Sequence, residues 1–66
     1  MYVHREHLTE YVNQILPLGN IYDELAITIR SKLEVYHKMN GTLYTAIIHD
    51  EIVSLIDNYK LKYNIR

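Results

Sequence analysis

Three stretches of apolar residues recur at spacings of three and four, and every proline and glycine of the chain falls between them, at Pro17, Gly19 and Gly41. That pattern commits most of the chain to α-helix and leaves few residues for anything else. The first stretch runs from His4 to Leu16, with Leu8, Tyr11, Val12, Ile15 and Leu16 on one face. Pro17 should end it, since proline lacks an N–H and disfavours helix in the residue before it.

The second stretch runs from Ile21 to Asn40. Tyr22, Leu25, Ala26, Ile29, Leu33 and Tyr36 all lie within about 60° of Ile29 on a helical projection. Asn20 is placed to N-cap it, with Asp23 as the acidic end of a capping box. Asp23 and Glu24 in the first turn and Lys38 in the last suit the helix dipole, and Gly41 suits a left-handed position after the end. The third stretch runs from Leu43 to Tyr63, with Thr42 as its expected N-cap and Ile48, Ile52, Leu55, Ile56, Tyr59 and Tyr63 as its stripe. Its start differs, because Leu43, Tyr44, Ala46, Ile47 and Ile48 point all around the axis. An element apolar on every side is expected to be buried on every side.

The competing reading is local. Asn40-Gly41 is a strong hairpin signal flanked by β-branched and aromatic residues, so Val35 to Met39 and Thr42 to Ile48 can be read as two strands. The segment from Leu33 to Lys38 alternates poorly, however, and the helical stripe runs unbroken through Tyr36. The expected fold is therefore all-α. It is one domain over residues 1–66, with helices at about 4–16, 21–40 and 43–63. A short N-terminal helix would precede a long antiparallel helical hairpin.

A chain of 66 residues buries only about 60% of its unfolded surface, which leaves little material for a deep cleft. Ile27, Val35, Leu43, Ile47, Val53, Leu61 and Ile65 lie off the main stripes. Homodimerisation into a larger bundle would cover such a surplus, and small scaffolds often need that help.

Composition narrows the function classes. With no cysteine, the chain has no disulfide, zinc–thiolate site or thiol nucleophile. At 48% hydrophobic and 23% charged residues it is not compositionally disordered. A net charge of −1 gives no general pull toward nucleic acid or an anionic membrane. No apolar run approaches the ~20 residues of a membrane span, and residues 1–7 do not resemble a signal peptide, so a cytoplasmic location is expected. Ile, Tyr, Asn and Lys are plentiful while Ala, Gly, Pro and Arg are scarce. That codon-level bias would fit a low-GC bacterium or one of its phages.

Chemistry has few places to reside. His4, Glu6 and His7 are a two-imidazole cluster short of the three or four ligands a metal site needs, so a solvated first turn is the better reading. His49, Asp50 and Glu51 offer a histidine beside an acid. Neighbours on a helix diverge by about 100°, which favours a solvated face with one boundary histidine. The seven tyrosines, with no phenylalanine or tryptophan, suit either a core or an interface that must also exist in water. The tail carries Lys60, Lys62 and Arg66, enough for weak, salt-sensitive phosphate contact, but Asp50, Glu51 and Asp57 on the same segment oppose it. No phosphate-binding glycine loop, nucleophile elbow or metalloprotease motif is present, and no cofactor or metal is expected.

Residues Glu51 to Tyr59 resemble the end of the small aspartyl-phosphate phosphatases of the sporulation phosphorelay, a family built as a two-helix antiparallel hairpin. Its signature reads roughly S-Q-E-L-D-x-L-[LI]-x-x-Y. Glu51, Leu55, Ile56 and Tyr59 match it and Ile52 is a conservative replacement. His49 and Asp50 stand for Ser-Gln, and Val53 stands where the functional aspartate would be. The resemblance implies an effector that removes phosphate from a response regulator, and Val53 argues against that activity.

The expectation is thus a non-enzymatic regulator or inhibitor that lays an apolar helix face onto a protein partner, with phage or mobile-element origin as its natural setting. Its candidate interface is Ile27, Val35, Leu43, Tyr44, Ile47, Val53, Tyr59 and Tyr63. A weak nucleic-acid binder using the tail is the third reading.

Overall fold

The computed structural model describes residues 7–39 and 44–65. Among them the chain is all-α, with α1 at Leu8–Ile15, a 3₁₀ turn at Leu16–Leu18, α2 at Glu24–Lys38 and α3 at Tyr44–Lys62. The strand alternative fails for the described residues, since Val35 to Lys38 and Tyr44 to Ile48 are helical. Gly41, Thr42 and Leu43, and with them the expected caps of the junction, lie outside the described residues, as do His4 and Glu6.

Each boundary has a local cause. Pro17 does not stop the chain dead: it sits in the first turn of the 3₁₀ segment, where a missing N–H leaves no bond unmade. The N-cap of α2 is Asp23 and not Asn20. Asp23 Oδ1 accepts from the Leu25 N–H at 2.8 Å, while Asn20 Oδ1 is spent on the Tyr22 N–H in a preceding turn. Tyr22 therefore lies ahead of the helix and is 80% exposed, not on its stripe. At the far end, Asn64 takes a left-handed φ of 54°. The Ile65 N–H reaches back to the Lys60 carbonyl at 2.8 Å and the Asn64 N–H to that of Leu61 at 3.4 Å. This is the bonding pattern of a Schellman C-cap, and Ile65 packs against the core as that motif's apolar contact.

The core draws on all the elements. Leu8, Val12, Ile15 and Leu16 come from α1 and the turn, Ala26, Ile29 and Tyr36 from α2, and Ile52, Ile56 and Tyr59 from α3. Side-chain bonds tie Asp23 to Lys62, Lys32 to Glu51, and Thr45 to the Met39 carbonyl. As the α2 number rises the α3 number falls, so the two helices run in opposite senses. Thr9 bonds His37 at 3.0 Å and the Lys60 ammonium donates to Tyr11 at 3.2 Å, which seats α1 on both.

Two expectations about α3 are corrected. Its first turns are not buried all around: Tyr44 and Ile47 are exposed. The buried face instead includes Thr45 and His49, while Ile48 and Leu55 are only half-buried. The Thr45 hydroxyl donates to the Met39 carbonyl at the end of α2, and the His49 ring lies beside that of Tyr36 on the same helix.

Candidate functional site

Two places on the fold gather polar chemistry. The first is the end where α2 begins and α3 finishes. Asp23 caps α2 with one oxygen and uses the other to accept from the Lys62 ammonium at 2.5 Å and from the Tyr63 hydroxyl. The Lys62 and Tyr63 hydrogen bonds, with that of the Leu25 N–H, hold the Asp23 carboxyl down to about 2, well below its ordinary 3.8. The same carboxylate raises Lys62 and Tyr63 above their ordinary values. Beside it, the buried Tyr59 hydroxyl donates to the Leu16 carbonyl at 2.7 Å, and burial pushes its phenol up. Gly19 lies flat against this pair of tyrosine rings. The cluster is fully engaged in joining three segments of chain, so its chemistry is structural.

That arrangement sets a pH dependence. Asp23 is more acidic folded than unfolded, so its contribution is present above pH 3.8 and is lost as pH falls through about 2. Wild-type stability in acid titrations should therefore drop between about pH 4 and pH 2. Asp23→Asn should flatten that part of the profile. An unchanged acid limb in the variant would contradict the assignment.

The second place is a shallow groove between α2 and α3, lined by Lys32, Ile47, Asp50, Glu51, Ser54 and Leu55. The Lys32 ammonium and Glu51 carboxylate pair at 2.8 Å across it. Asp50 projects into solvent, 83% exposed, with its oxygen 3.6 Å from the Nδ1 of buried His49. Those neighbours approach more closely than simple helix geometry anticipates, yet 3.6 Å is too long for a hydrogen bond.

The predicted interface residues divide. Ile27, Val35, Tyr44 and Ile47 are exposed on the outer faces of α2 and α3, and Leu61 joins them at 80%. Val53 and Tyr63 are half-buried against the core. Tyr59 is a correction: it is wholly buried, with its hydroxyl used inside the chain, so it has no surface to offer a partner. Leu43 lies outside the described residues. Val53, at the place of the phosphatase signature's aspartate, is turned toward the core and brings no carboxylate. Lys60 and Lys62, two of the three cations of the tail, are engaged with Tyr11 and Asp23.

Among the described residues no three His, Asp or Glu side chains gather to hold a metal ion, and no helix is long and apolar enough to cross a membrane. The groove and the apolar faces were hidden from sequence reasoning in one respect: periodicity marks residues off the stripe but not which of them share a side. No family model matches this chain, no curated protein matches it in sequence, and no solved structure matches it.

Proposed function

We propose that this chain is a small protein-interaction module, a helical hairpin that self-associates and acts as a regulator or inhibitor by presenting apolar helix faces to a protein partner. One observation carries the reading. Ile27, Tyr44, Ile47 and Leu61 are all more than half exposed, while most of the other large aliphatic side chains among the described residues lie in or against the core. Surface of that kind marks interaction sites. The AT-rich residue usage fits a phage or mobile-element product directed at a host protein.

The test is a set of charged replacements, Ile27→Glu, Val35→Glu, Tyr44→Glu and Ile47→Glu. Each should leave the helical circular dichroism intact, because these side chains lie outside the core. At least one should lower the solution mass or abolish partner capture in a crosslinked pull-down from a low-GC host. Variants that fold and associate as the wild type does would remove the reading.

A further inference from the structure

We draw no further inference here: the strongest candidate, the shallow groove between α2 and α3 in which Ile47 and Leu55 stand beside the Lys32–Glu51 pair, is an unpartnered face, and nothing in the structure shows what covers it.

Discussion

Replacing Gly19 with alanine should lower the stability of this chain by about 2–4 kcal/mol, and the reason is steric. A Cβ at position 19 would stand 2.6 Å from the Tyr59 hydroxyl oxygen, 2.8 Å from the ring carbon that bears it, and 2.8 Å from a ring carbon of Tyr63. The backbone φ of −115° lies outside the left-handed region. Tyr59 has nowhere to retreat, being wholly buried and bonded to the Leu16 carbonyl. Overpacking of this kind costs about 1–3 kcal/mol, and a displaced hydroxyl forfeits about 0.5–1.5 kcal/mol more. At about 4–8 °C per kcal/mol, the melting midpoint should fall by roughly 10 °C or more. Tyr59→Phe in the same background should recover part of the loss, since it removes the nearest contact and leaves the two ring contacts. Chemical denaturation of Gly19→Ala within about 0.5 kcal/mol of wild type would contradict this packing.

The second large effect compares two isoleucines on one helix. Ile29 is fully buried and Ile27 is 53% exposed. Ile29→Ala removes core volume that neighbours can refill only in part, and should cost about 2–5 kcal/mol. Ile27→Ala should leave the folding stability of the single chain within about 0.5 kcal/mol. The two replacements have the same chemistry and similar helix propensity, so the difference reports the face each occupies. Equal losses would mean that α2 is rotated from the orientation described.

Most of the helical pattern was legible in the sequence. The stripe of α1 is the stripe that is buried, and Ile29, Ile52 and Ile56 fall at the centre of the core as their spacing requires. The departures share a cause, which is tertiary. Asn20 and Asp23 are both competent caps by local rules. Asp23 serves because the same carboxylate also receives Lys62 and Tyr63, groups some forty residues away in sequence. His49 read as a boundary position, yet it is buried beside the Tyr36 ring of α2. Tyr59 read as an interface aromatic, and the turn around Gly19 turns it into a core residue. The groove could not be seen at all from spacing, because it depends on which side of the two-helix layer the first helix occupies.

The central claim is that the outer faces of α2 and α3 are covered in solution by association. Its most direct test is the melting midpoint of the wild-type chain as a function of its own concentration, from about 5 µM to about 500 µM, beside Ile47→Glu. Association linked to folding makes the wild-type midpoint climb with concentration while that of the variant stays flat. A wild-type midpoint that does not move over that range, superimposed on the variant's, would mean that the exposed isoleucines and tyrosine remain in water, and would contradict the account.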